Sequence, residues 1–445
     1  MESIEGVVVV GGGAVGLLTA LLLGKAGVRV VILESASSVS AASWAVAYTP
    51  SAIAVLERAG VFDDIFKAAI RSDDIAYRKA DGSLIAKMDW SVLSEDAQHP
   101  YMLLLAQRHV CGVIVRHLRT LSNVEIRWNH HVSRLEQDGS CVTLTTRTPG
   151  GDSELRARWV VAADGAQSAL REQLGATFEG VTWPEQMVAV NVYYDFALHG
   201  YSRINFIHDP EYPAAVIQLD RSGLWSLCYE GDRAFSPAEI IKRAPQRLAR
   251  LLPGTPTADQ FRIDSIRPYR VQQRCAVELM CGRVILAGDA AHVANPVGGL
   301  SLSGGVMDAE HVALSLSAEF SESPSDTPVE ASLEAYRNRL LALTAPMATP
   351  YPSWIKERNS ARRAQDTALF ERAASNRAAM RRFLLDFSKI NGRRPRSVSA
   401  WFRGLPTAMR RMVYSVAGWI SKITLTSRPC VRSTWKDPVK AQHFE

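Results

Sequence analysis

Gly11, Gly13 and Gly16 fall in the spacing G-x-G-x-x-G, and Glu34 follows eighteen residues after the last of them. Glycines so placed permit a tight turn, let backbone N–H groups such as those of Ala14 and Val15 approach a pyrophosphate, and let helix and strand pack closely. A carboxylate at Glu34 could accept hydrogen bonds from ribose hydroxyls, so the set points to an adenine dinucleotide. Two further acids end apolar runs: Asp164 in WVVAADGAQSALR, and Asp289 in GRVILAGDAAH. The second run continues into Asn295-Pro296-Val297-Gly298-Gly299. At the carboxyl end of a buried strand, where ligands of doubly wound sheets bind, an aspartate can hold a ribityl hydroxyl. A glycine pair beside it lets backbone N–H groups reach a flat ring.

These residues need elements to hold them. Val7 to Val10 form a β-branched run suited to a parallel strand buried on both faces. The spacing then predicts a helix from about Ala14 to Lys25, its N-terminal dipole aimed at an anion, and a returning strand over Val28 to Leu33. Thr49 or Ser51 caps the next helical pattern and Gly60 interrupts it. Residues 70–104 alternate in short strand-like pieces, Arg108 to Leu121 reads as helix, and Val124 to Arg147 as two strands around Asp138-Gly139. Around Asp164 the plain reading is a strand, a turn and a helix capped by Ser168 that carries Arg171.

With 445 residues, 47% apolar and 22% charged, the composition is that of a globular enzyme with two or three lobes. The six cysteines show no CxxC pair and no regular spacing, which supports neither a disulfide framework nor a metal site and suggests a reducing, cytoplasmic compartment. The chain enters the nucleotide pattern too early for a signal peptide, and no apolar run reaches the ~18 residues of a membrane span. The net charge of +6 is local: between Ser353 and Arg411 there are 15 Lys or Arg against 4 Asp or Glu. Aromatics do not interleave with this charge, so nucleic acid is not an expected partner.

Taken together, the three motifs resemble the group A flavoprotein monooxygenases, the aromatic hydroxylases of the para-hydroxybenzoate hydroxylase type, over about Ile4 to Leu343. The resemblance implies an α/β fold: a Rossmann-like FAD-binding domain with an interleaved β-sheet substrate domain, followed here by a C-terminal helical region. On that pattern residues 1–178 form the first part of the FAD domain, with a β insertion at about 70–104. Residues 179–270 form the substrate sheet, 271–345 the second FAD part, and 346–445 a basic helical region. Gly11, Gly13, Gly16 and Glu34 would hold the adenosine half, and Arg108 would contact the flavin side. Asp164 would lie in a motif shared by FAD and NAD(P)H, and Asp289 would take the ribityl chain. Gly299, Leu302 and Ser303 would meet the ring through backbone, and the loop at Pro296 and Gly298 would shelter a flavin C4a-hydroperoxide. Two departures stand out. Trp44 occupies the place of a usual arginine, and Ser301 and Ser303 replace a glycine and an asparagine.

The resemblance implies FAD as cofactor, NAD(P)H and O₂ as co-substrates, and transfer of one oxygen atom to an electron-rich carbon. Strand-like pieces over residues 186–230 should face the substrate. The apolar, aromatic character of this sheet suggests a bulky aromatic or lipophilic compound, hydroxylated or epoxidised as in secondary metabolism. Trp225, Leu227 and Tyr229 share a face by alternation, and Tyr229 or Tyr193 could relay a phenolic proton. His208 and His292 are lone histidines whose ordinary role is structural, His292 lying beside the flavin loop. Past Leu316 a polar loop leads to helical patterns over Leu333 to Leu343 and Trp354 to Ile390. An amphipathic stripe follows from Val398 to Ile423, which packs on protein or touches an anionic membrane surface. Other readings are a flavin reductase acting on an isoprenoid or quinone, and a non-catalytic dinucleotide-binding protein. A W-x-W-x-I-P segment is missing, which disfavours a halogenase.

Overall fold

The computed structural model describes residues 2–40, 46–209, 213–232, 234–293, 300–321 and 360–388. The chain divides into the units Met1–Gly392 and Arg393–Glu445, and the second lies outside the described residues.

Strand β1 (Glu2–Val10), helix α1 (Ala14–Lys25) and strand β2 (Val30–Glu34) form the opening βαβ unit. Val7, Val8 and Val9 are fully buried, as an uninterrupted apolar run in a parallel strand must be. Helix α1 is apolar nearly all round, with Leu17, Leu18, Leu21 and Leu23 buried, because it has protein on several sides. The chain continues through β3 (Ala47–Tyr48), α2 (Pro50–Arg58), α3 (Phe62–Ala68), β4 (Ile70–Ser72), β5 (Asp74–Arg78), β6 (Leu84–Asp89) and β7 (Met102–Leu104). Helix α4 (Gln107–Leu118) and strand β8 (Val124–Trp128) follow, then a hairpin of β9 (His131–Gln137) and β10 (Val142–Thr148). Strand β11 (Gly151–Ala162) pairs antiparallel with β10 and parallel with β1. Where two strands are expected over Val124 to Arg147, there are therefore three, the first of them lying parallel beside β2.

Short helix α5 (Ala169–Gln173) leads to β12 (Phe178–Tyr193), β13 (Ile204–Ile207), β14 (Ala214–Gln218), β15 (Leu224–Glu230), α6 (Pro237–Leu251) and β16 (Arg262–Ala276). The chain then returns through β17 (Met280–Cys281), β18 (Val284–Leu286), β19 (His292–Val293) and α7 (Leu300–Glu319), and the described residues end with α8 (Ser360–Ser375) and α9 (Arg377–Ser388). The nucleotide sheet runs β17-β18-β11-β1-β2-β8, and the second sheet runs β19-β16-β12-β15-β14-β13-β5-β6. Strands β5 and β6 thus extend the second sheet, through parallel pairing of β5 with β13, while β4 and β7 join β3 in a small separate sheet.

Alternation gives the second sheet two apolar faces. Val188, Val190, Trp225, Leu227 and Tyr229 pack with Ile240, Leu248 and Leu251 of α6. That helix begins with a capping box in which Ser236 and Glu239 satisfy each other's backbone N–H. Met187, Phe206, Ala215 and Tyr77 form the other face with Phe370, Met380 and Leu384 of α8 and α9, the Tyr77 and Phe370 rings stacking at 4.0 Å. Among the described residues no helix is long and apolar enough to cross a membrane. The patterns over Leu333–Leu343 and Val398–Ile423, and with them the expected membrane contact, lie outside the described residues.

Candidate active site

The carboxyl ends of β1, β2, β11 and β18 converge on one edge of the nucleotide sheet. Gly11 leaves β1 at φ +111°, its N–H donating to the Leu33 carbonyl at 2.9 Å. A Cβ there would lie 2.3 Å from the Ala163 carbonyl oxygen, so only glycine lets β1 and β11 approach this closely at the turn. Gly16 is as tightly placed, 2.0 Å from the Gly11 carbonyl by the same measure. Gly13 differs, because a Cβ on it would meet nothing within 4 Å. It is the N-cap of α1, no side chain caps that end, and the space beside Gly13 is open, so the first N–H groups, those of Ala14 and Val15 among them, have no intrahelical acceptor. Beside it the Glu34 carboxylate accepts from the Gly12 N–H at 2.5 Å and the Ala36 N–H at 2.8 Å.

Asp164 follows the end of β11. Its Oδ2 accepts from the Leu170 N–H at 3.1 Å, while its buried Oδ1 has no hydrogen-bond partner among the described residues. A buried acceptor in that state calls for a donor from a bound molecule. Arg171, 6% exposed, ties this loop to the next motif by donating to the carbonyls of Ala166 and Ala290, each at 3.0 Å, with its guanidinium 3.8 Å from the Phe178 ring centre. Sequence reading placed Arg171 on the helix but could not show that it joins the two motifs.

Asp289 follows the end of β18, and Ser301 donates to its Oδ1 at 3.4 Å. The residue is exposed, yet the protein packed around its carboxyl pushes the pKa up; His292 and the Ser301 hydroxyl pull it down, and Asp308 adds to the rise. Helix α7 begins opposite. Leu302 turns its side chain into the core, and the buried Ser303 Oγ accepts from the Thr49 N–H at 3.1 Å. The N–H groups of the first turn of a helix have no intrahelical acceptor. Arg108 is exposed in the first turn of α4. Trp44, Pro296, Gly298 and Gly299 lie outside the described residues. The glycine cradle, the carboxylates at 34 and 289 and the orphan oxygen at 164 together fit FAD.

The tyrosine expected to relay a proton requires correction. Tyr229 is 3% exposed and faces α6, with the Arg247 guanidinium 5.8 Å from its ring centre. Burial pushes its phenol up to about 12. It is core packing, on the sheet face covered by α6. Tyr193 lies under Arg262 at 3.9 Å, and His208 is buried edge-on to Phe370. Substituting Tyr229→Phe should leave kcat within about twofold and change stability by no more than about 1 kcal/mol, since a phenol that touches no reacting atom contributes only packing and a hydrogen bond. Steady-state kinetics beside thermal unfolding would measure both, and a tenfold fall in kcat with an unchanged melt would restore the relay.

The opposite face carries groups the sequence reading passed over. Cys228 Sγ lies 2.9 Å from the Tyr269 hydroxyl, both half-buried, in a row with Met187, Ala215 and Ile217. Ile217 also contacts a cluster of Val46, Ala106 and Leu219, which leads into the first turn of α4. That contact sets the Ile217 end of this face against the start of α4, which packs on α1.

A family model described as FAD binding domain matches residues 5–345. The chain is 56% identical over 394 residues to the para-nitrophenol 4-monooxygenase of a Pseudomonas species, covering 88% of this chain and 98% of that protein. To the 6-hydroxy-3-succinoylpyridine 3-monooxygenase HspB of Pseudomonas putida it is 35% identical over 353 residues, 78% of this chain and 88% of that one. Among solved structures, p-nitrophenol 4-monooxygenase PnpA from Pseudomonas putida superposes with a TM-score of 0.85 at 57% identity, covering 88% of this chain and 100% of that one. Aklavinone-11 hydroxylase, solved with FAD and aklavinone, has a TM-score of 0.71 at 24% identity over 80% of this chain and 70% of that one, a likeness of fold.

Proposed function

The chain belongs to the FAD-binding-domain family, as a flavoprotein monooxygenase of the para-hydroxybenzoate hydroxylase type, and from that premise we propose that it oxygenates a single-ring phenol at the carbon para to the hydroxyl, with loss of the substituent that carbon carries. It is an FAD-dependent enzyme, and NAD(P)H as reductant fits the family. The observation that carries the reading is the near full-length similarity to a para-nitrophenol 4-monooxygenase. The two relatives described above are named for adding oxygen at a ring position that already bears a substituent para to a hydroxyl. In this reading the expected bulky substrate and secondary-metabolic setting give way to a small phenol.

Bound FAD supplies reduction by NAD(P)H, activation of O₂ and delivery of one oxygen atom to the ring. The chain's residues bind and orient. Gly11, Gly13, Ala14, Val15, Gly16 and Glu34 take the adenosine diphosphate side, Asp164 the middle, and Asp289 the ribityl chain. The backbone N–H groups of Leu302 and Ser303 meet the ring, with Arg108 on the flavin side. We assign residues 1–178 and 271–345 to the FAD-binding part, except that β5 and β6 go with residues 179–270 to the substrate part. The Tyr269 hydroxyl, beside Cys228, is the group we place at the phenol oxygen, where it can exchange a hydrogen bond with the substrate. Burial raises the Cys228 thiol to about 11 against the hydrogen bond from Tyr269, so this partner stays a neutral thiol at neutral pH.

For para-nitrophenol the balance is nitrophenol plus O₂, NAD(P)H and a proton giving benzoquinone, nitrous acid, water and NAD(P)⁺. Nitrite release, NAD(P)H oxidation and O₂ uptake should therefore run one to one to one, with quinone trapped as hydroquinone by a mild reductant. A product that keeps its nitro group, formed without nitrite, would rule out substitution at that carbon and leave an ordinary ring hydroxylase.

A further inference from the structure

We propose that Asp308 and His292 act as a positioning pair that fastens the Gly288–Asp289 turn to helix α7, so that bound flavin meets the turn and the helix N-terminus as one rigid surface. Asp308 lies two turns into α7 and is fully buried. One oxygen of its carboxylate serves both ends of the turn: Oδ2 accepts from the Gly288 N–H at 3.0 Å and lies 2.5 Å from His292 Nε2. His292 is itself 3% exposed, and its strand β19 is held at the sheet edge by pairing with Arg274 and Cys275. Burial pushes the imidazole's pKa down, the Asp308 carboxylate opposes it at close range, and the net shift is upward. The pair is therefore a charge-assisted hydrogen bond between two buried groups, where losing one partner leaves the other buried and unsatisfied.

The geometry sets what this bond can control. Gly288 adopts φ +61°, and a Cβ there would lie 2.8 Å from Val15 of α1, so the turn is wedged against the pyrophosphate-binding helix on one side and fastened to α7 on the other. Asp289, between the two anchored residues, stays exposed. An apolar pair of similar volume would fill the space without fixing the turn's direction, since packing is less directional than two hydrogen bonds to one oxygen.

The inference rests on the assignment of Asp289 to the ribityl chain, and the test separates the two. FAD dissociation constants, the midpoint potential of bound FAD and its visible spectrum would be measured on Asp289→Ala, Asp308→Ala, Asp308→Asn, His292→Ala and His292→Gln, with Leu316→Ala as a core control in α7. We expect Asp308→Ala and His292→Ala to weaken FAD by about tenfold or more and to displace its spectrum and potential, each loss being that of a buried charge-assisted bond. Asp308→Asn keeps an acceptor for the Gly288 N–H and His292→Gln keeps a donor for Asp308, so both should restore most of the affinity. Leu316→Ala should lower the melting temperature while FAD affinity and potential hold. Should Asp308→Ala fail to fold, the two conservative variants and His292→Ala carry the comparison. If Asp289→Ala weakens FAD while the alanine variants at 292 and 308 leave affinity and potential unchanged, the positioning role is overturned. If Asp289→Ala itself changes nothing, the ribityl assignment fails and the inference falls with it.

Discussion

Gly11→Val yields a protein that purifies without flavin colour and melts far below the parent. The backbone at Gly11 has φ +111°, a region that side-chain-bearing residues reach only under strain, and the first carbon of any side chain would stand 2.3 Å from the Ala163 carbonyl oxygen and 2.7 Å from its carbon. Neither atom belongs to a flexible side chain, so β1 and β11 must separate. The Ala163 N–H bond to the Val10 carbonyl, 2.8 Å long, stretches with them. Backbone strain and overpacking in a filled site together cost roughly 3–5 kcal/mol, a large share of a typical domain's stability. Asp164 sits on the displaced loop, so the cofactor site opens along with the fold. Gly13→Ala provides the contrast. Its methyl meets no protein atom within 4 Å, so the melt should hold while FAD affinity drops, the methyl occupying the open space at the start of α1. Thermal unfolding and the ratio of flavin to protein absorbance read both variants. A Gly11→Val protein with normal colour and melt would refute the close approach of the two strands.

What was legible in the sequence had local causes. The glycine turn, the valine strand and the apolar helix between Gly13 and Lys25 each follow from residues within one turn or one strand of each other, and α1 has the bounds that the spacing predicts. The acids at 164 and 289 were legible for the same reason, each closing an apolar run. The sheet order was not. Nothing near Ala76 says that it will lie beside Asn205, and β5 reads alone as a hairpin arm in an insertion. Alternation put Trp225, Leu227 and Tyr229 on one face, but deciding whether that face meets substrate or a helix required knowing where α6 returns. The signal was the four-residue spacing of Ile240, Ala244, Leu248 and the leucine at 252, an apolar stripe that must cover some sheet.

Asp308 was the costliest omission. It falls four residues before Val312 and four after Gly304, on the side of α7 that packs inward, whereas an acid on a stable helix ordinarily marks the solvent face. An acid on an apolar stripe needs a buried donor. The lone histidine of the neighbouring motif was the candidate, and together the two anomalies would have paired 292 with 308. Ser303 has a comparable explanation: its hydroxyl accepts from the Thr49 N–H and anchors α7 to the start of α2.

Asp289→Ala weakens FAD by about 10- to 100-fold, the loss expected when a ligand hydroxyl is deprived of a charged acceptor. The pH dependence of binding should change as well. Without FAD, the surrounding protein holds the Asp289 pKa above the usual carboxylate range. Ribityl hydroxyls donate, so FAD binds the ionised carboxylate in preference to the acid and lowers its pKa on binding. Affinity in the parent protein should therefore rise as pH rises through the elevated pKa, then level off once the carboxyl is ionised in the free protein. Stability of the cofactor-free protein moves the other way. The folded state holds this proton more tightly than the unfolded chain does, so its contribution is greatest at low pH and is lost as pH rises through the window between the two pKa values. Asp289→Asn removes the titrating group and flattens both curves, while keeping an acceptor oxygen and thus part of the affinity. FAD titrations by protein fluorescence from acid to neutral pH, on the parent and on Asp289→Asn, would measure the step directly. A step that persists in Asp289→Asn would assign the titration to another group, and FAD affinity independent of pH in the parent would mean that the ribityl chain does not donate to Asp289.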